Sequence, residues 1–130
     1  MTIDELVAQQ AFQTTPDFLD TLKNNNITDI NEYLLFNLND RMKEVLFTNI
    51  DFLADDTLWS KEDLENFEVI AKTIDNDYLL SQGDTSLIIP SSLNKADSES
   101  FDLPIWKLLI EFEEKTLPGF FANKYKILYS

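Results

Sequence analysis

The stretch IDNDYLLSQGDTSLII (74–89) places three aspartates, an asparagine and a glycine between short apolar runs. Acids at alternate positions are the chemistry of a calcium loop, which surrounds the ion with oxygens at spaced positions and turns sharply at a glycine. Counted from Asp75, the fifth and sixth positions are Leu79 and Leu80 and the twelfth is Ser86, so the required ligands and the glycine are missing. The chain has no histidine and no cysteine, the residues that zinc and most transition-metal sites need. A carboxylate-only magnesium site stays open, but no cofactor is expected.

The same two absences remove the usual general base and the thiolate nucleophile, so Ser-His and Cys-His pairs are impossible. Phosphate cradles require glycines where backbone amides approach the ligand, and the only two, Gly83 and Gly119, sit in no such pattern. Two acids flanking a scissile bond are available in any acidic protein and carry little information. The expectation is a non-enzymatic protein, with a carboxylate-dependent hydrolase as the alternative from another class.

Binding is the chemistry that remains. Twenty-four acids against ten bases give a net charge of −14, which repels nucleic acid and anionic membranes and favours basic protein partners. The acids concentrate in 51–68, where seven carboxylates face one base, Lys61, and where Phe52, Leu58 and Trp59 are interspersed. Aromatic anchors ringed by charge suit an interface that combines steering with a hot spot. Asp55, Asp56, Trp59 and Glu62 are therefore partner-binding candidates, joined by Asp77 and Asp84 of the opening stretch. The plainer reading makes the aromatics core and the acids a solvated face. Phe120, Phe121, Tyr125 and Tyr129 beside Lys124 and Lys126 come nearest to a nucleic-acid stacking surface; a docked or terminal strand is the preferred reading of that tail.

The elements that position these residues follow from periodicity. Ile3, Leu6, Val7 and Phe12 share a helical face. TPDFLDTLKNNN starts a helix, with Thr15 as cap and Pro16 in the first turn, and the asparagines 24–26 stop it. EYLLFNL (32–38) reads as a first strand, with a helix as alternative. Asn39 or Asp40 caps a helix carrying Met42, Val45 and Leu46. Ser60 and Asp63 of SKED form a capping box for a short helix at about 61–66. FEVIAKTI, YLLS and SLIIPSS read as three strands joined by short turns, an antiparallel meander covered on both faces, with Pro90 ending the third or placing it at an edge. NKADSESFDLP is a polar connection. In LPIWKLLIEFEEK, Ile105, Leu108, Leu109 and Phe112 form one helical face, with Trp106 at its margin. At 130 residues this is one domain, 1–130, with 116–130 a tail of uncertain structure. MTIDELVAQQ has no basic region or long apolar run, and no stretch reaches a membrane span, so a cytoplasmic location is expected.

From FEVIAKTIDNDYLL to the helix PIWKLLIEF, the order of strand, turn, strand, turn, strand, polar loop and aliphatic helix resembles the SUKH superfamily in its Smi/Knr-like branch. Asn76-Asp77 stands where Gly-Asp is common there, and PDFLDTLKNNN looks like a drifted form of the family's Pro-x-x-Tyr/Phe…Leu…Asn-Gly segment. Asparagine replaces both turn glycines, and it tolerates the left-handed conformation better than most residues. The likeness spans about residues 12–115. It implies an α+β fold: N-terminal helices, a central twisted antiparallel β-meander, and a C-terminal helix packed on the sheet. It further implies a bacterial immunity protein that binds and neutralises a cognate toxin, often a nuclease. Alternatives are a regulatory protein-binding module of the cell-wall-assembly type and a protein that imitates DNA charge.

Overall fold

The computed structural model describes residues 3–9, 14–39, 41–53 and 55–128; Phe12, Asp40 and Tyr129, named above, lie outside them. Two short helices lead, α1 (Ile3–Gln9) and α2 (Thr15–Asn24), followed by a minimal hairpin, β1 (Asp29–Ile30) and β2 (Leu34–Phe36). Helices α3 (Arg41–Leu53) and α4 (Lys61–Leu64) come next. Strands β3 (Glu68–Thr73), β4 (Tyr78–Gln82) and β5 (Thr85–Ile89) follow, then a 3-10 turn (Lys95–Asp97) and β6 (Glu99–Phe101). Helices α5 (Ile105–Glu113) and α6 (Phe120–Leu128) close the chain. The six strands pair in chain order, every pair antiparallel. The fold is the expected α+β arrangement, with two short strands, β1 and β6, beyond the four expected.

Both sheet faces are covered, which explains why the central strands do not alternate apolar with polar residues. Leu79 of β4 and Ile88 of β5 enter one core, with side chains from α1, α2, α5 and α6. Their neighbours Tyr78, Leu80, Leu87 and Ile89 enter a second core against α3 and α4. This is the period of two, read across two apolar layers. A register shift between Val69 and Ala71 puts both Ile70 and Ala71 into the first core while Val69 stays in the second, as a β-bulge does.

Turn chemistry sets the register. Helix α2 ends with Asn26 at φ 58°; the Asn26 amide bonds Lys23 O at 3.1 Å and the Ile27 amide bonds Leu22 O at 2.9 Å. That is a Schellman close with asparagine in the usual glycine place. At β3–β4, the Asn76 amide bonds Thr73 O, Asn76 takes φ 65°, and the Thr73 amide returns to Asp77 O, a three-residue hairpin loop. At β4–β5, Gln82 pairs with Thr85 and Gly83 alone of the two loop residues has positive φ, at 58°, the pattern of a type II′ turn.

Four expectations need correction. Thr14, not Thr15, caps α2, its hydroxyl accepting from the Asp17 amide at 3.2 Å; Thr15 is buried within the helix. The segment 32–38 supplies the second strand rather than the first. The polar connection hides β6, so β5, which does end before Pro90, is not an edge. The tail is helical: α6 docks on the first core through Phe121, Ala122 and Tyr125, with Tyr125 stacked 4.2 Å from Phe112.

Candidate functional site

The acidic segment after α3 is held in place by the chain that follows β5. Leu58 bridges to Asn94, the Trp59 amide donates to Leu93 O at 3.0 Å, and the Lys95 amide donates to Thr57 O at 3.1 Å. The Trp59 indole N–H donates to Ser98 Oγ at 2.8 Å, and the Lys95 ammonium lies 5.7 Å above its ring. Trp59 is half-buried at the margin of the second core. It is a positioned wall with one edge in water, which combines the two readings of this residue.

Beside that wall lies an open groove of about 500 Å³, lined by Ile50 and Asp51 of α3, by Asp55 and Asp56, and by Trp59 and Glu62. Four of these are carboxylates; Lys61 at the rim pairs with Asp51 at 2.6 Å. The Thr57 amide and hydroxyl both donate to Asp55 Oδ1 at 2.8 Å. The amide first and the hydroxyl second hold the Asp55 carboxyl below its ordinary range, so it stays ionised. The capping box is formed: Ser60 Oγ accepts from the Asp63 amide and Asp63 accepts from the Ser60 amide. Lys95, at 3.2 Å, is the first cause of the lowered Asp63 pKa, ahead of Ser60. On α3 the exposed residues Val45, Asn49, Phe52 and Leu53 share a helical face, and Phe52 is 87% exposed.

The six candidates therefore separate. Asp55, Asp56, Trp59 and Glu62 converge on the groove. Asp77 and Asp84 do not join them, since they lie in turns at opposite ends of β4. Asp84 is exposed beside a separate depression that reaches Trp106 and Pro16. Asp77 is buried: its carboxylate accepts from the Ser91 amide at 3.2 Å, the Thr73 hydroxyl at 3.3 Å and Lys124 Nζ at 3.0 Å. It is a cross-brace in the wall of a different cavity, apart from the acidic groove.

Sequence reading missed the apolar stripe on α3, whose signal was Phe52 and Leu53 next to Asp51. It also missed a cavity of about 540 Å³ beside α6. Ser92-Leu93-Asn94-Lys95 has the Ser-x-x-Lys spacing of some acyl-transfer enzymes. However, Ser92 Oγ accepts from the Asn94 amide at 3.4 Å, while Lys95 Nζ turns to Asp63 and the Trp59 ring. Among the described residues no group of three or more carboxylates could hold a metal ion, and no helix is long and apolar enough to cross a membrane. No protein-family model, curated protein or solved structure significantly matches this chain.

Proposed function

We propose that this chain is a protein-binding module of the immunity type, which neutralises a basic toxin by covering its cationic surface with the acidic groove. The observation that carries the reading is the groove itself. Asp51, Asp55, Asp56 and Glu62 surround Trp59, on a segment pinned to the sheet, and the 87% exposed ring of Phe52 stands on the adjoining helix. Exposed aromatic surface rimmed by charge is what association steering and a desolvated anchor require. Pinning the loop beforehand lowers the ordering cost of binding. The preference for a binding over a catalytic role comes from the SUKH likeness of the sequence, and the α+β architecture is compatible with it.

The test is co-expression with the toxin-like product of an adjacent gene. Protection of the cells, and a complex isolated at low salt, are expected; no protection and no complex would remove the proposal. A complex formed only with housekeeping proteins would favour the regulatory alternative.

A further inference from the structure

We propose that the cavity between the 3-10 turn, β5 and the first turns of α6 is a receptor for an arginine side chain, and that the basic partner inserts one there. Who carries the arginine rests on the function proposed above; why an arginine fits rests on the cavity alone. Its volume of about 540 Å³ falls within the range of small-ligand sites. Ile88, Pro90 and Phe121 give it apolar surface, and Phe120, 75% exposed, presents a ring at its mouth. Asp77, Asp97 and Glu99 bring three carboxylates against one ammonium, Lys124. Among the described residues Asp97 and Glu99 make no ion pair, because Lys124 is turned to Asp77.

The polar end is already organised. Glu99 accepts from the Phe120 and Phe121 amides at 2.8 and 3.2 Å, and Gly119 lies so close that any Cβ there would collide with its carboxylate. The chain itself shows how the wall takes a cation on an aliphatic stem. Lys124 Nζ sits 3.0 Å from Asp77 and 5.5 Å from the Phe120 ring centre. A guanidinium adds a plane that stacks on an aromatic face and a fork that matches a carboxylate. The cavity also adjoins the acidic groove. Ser98, on its wall, accepts from the Trp59 indole that lines the groove, at 2.8 Å, so one hydrogen-bonded pair of side chains links the two sites.

The probe is the blocked tripeptide Gly-Arg-Gly titrated into the full chain by amide NMR, with Gly-citrulline-Gly as its uncharged counterpart. Expected are saturable shifts at residues 96–99 and 120–124 and binding about tenfold weaker for citrulline. Asp97→Asn should weaken the arginine peptide severalfold and Phe120→Ala about threefold, while Asp20→Asn on α2 changes nothing. Equal binding of the citrulline peptide, absence of shifts, or shifts confined to 55–62 would each overturn the proposal. The peptide titration needs no toxin. If it succeeds while co-expression fails, the cavity stands without the immunity function; if it fails while a complex forms, the function stands without the cavity.

Discussion

Asp77 ties three remote parts of the chain at one carboxylate: the β3–β4 turn through Thr73, the chain after β5 through Ser91, and α6 through Lys124. Asp77→Ala leaves the Ser91 amide and a half-buried ammonium without their acceptor, so a loss of about 2–3 kcal/mol is expected. A lower urea midpoint at unchanged m-value checks it, and an unshifted midpoint would show that the brace is idle. Glu113 makes a different residue-scale prediction. Burial raises its pKa above the ordinary glutamate range, against hydrogen bonds from the Ile3 and Asp4 amides of α1 that lower it, while Asp4 and Glu5 add to the rise. A carboxyl whose folded pKa lies above its unfolded one contributes stability that is full below the unfolded value and is lost as pH rises through the folded one. Thermal melts of Glu113→Gln should therefore vary less with pH across that interval than those of the wild type, and parallel curves would contradict the assignment. Local spacing made Asp75-Asn76-Asp77 legible as a turn, because asparagine accepts the positive φ found at residue 76. It could not show that Asp77 is buried, because its cation lies 47 residues away.

The elements that sequence identified have local signals: the capping box of α4, the aliphatic stripe of α5, and the aliphatic runs of the central strands. Those it missed are stabilised from a distance. Helix α6 starts without a capping side chain nearby; Glu99, 21 residues upstream, takes the Phe120 amide. The tail reads locally as a strand, with Tyr125, Ile127 and Tyr129 at alternate positions, although Phe121 and Tyr125 are also spaced as one helical face. Strand β6 was hidden because an edge tolerates polar side chains such as Glu99 and Ser100. Gly119 is where this remote cap becomes testable. It has φ 110° and packs against Glu99, so Gly119→Ala strains the backbone and displaces the cap at a cost of about 1–3 kcal/mol. Amide exchange should accelerate in α6 before it does in the sheet. Uniform acceleration would show that α6 does not open independently.

At the scale of the whole molecule, the two-sided sheet separates the helical layers. Core one anchors α6; core two carries α3 and, beside it, the acidic groove. Composition announced the charge of −14 but not its arrangement, because the groove depends on main-chain bonds between 57–59 and 93–95. Long-range attraction from such a surface accelerates encounter with a basic protein and weakens as salt screens it. The most direct measurement is the association rate of the co-expressed basic partner against ionic strength. It should be made for the wild type and for a variant with Asp55→Lys, Asp56→Lys and Glu62→Lys. A steep fall with salt in the wild type is predicted, with association at least about tenfold slower and a flatter salt dependence in the variant. Equal rates and equal salt slopes would contradict the claim that the acidic groove is the binding surface.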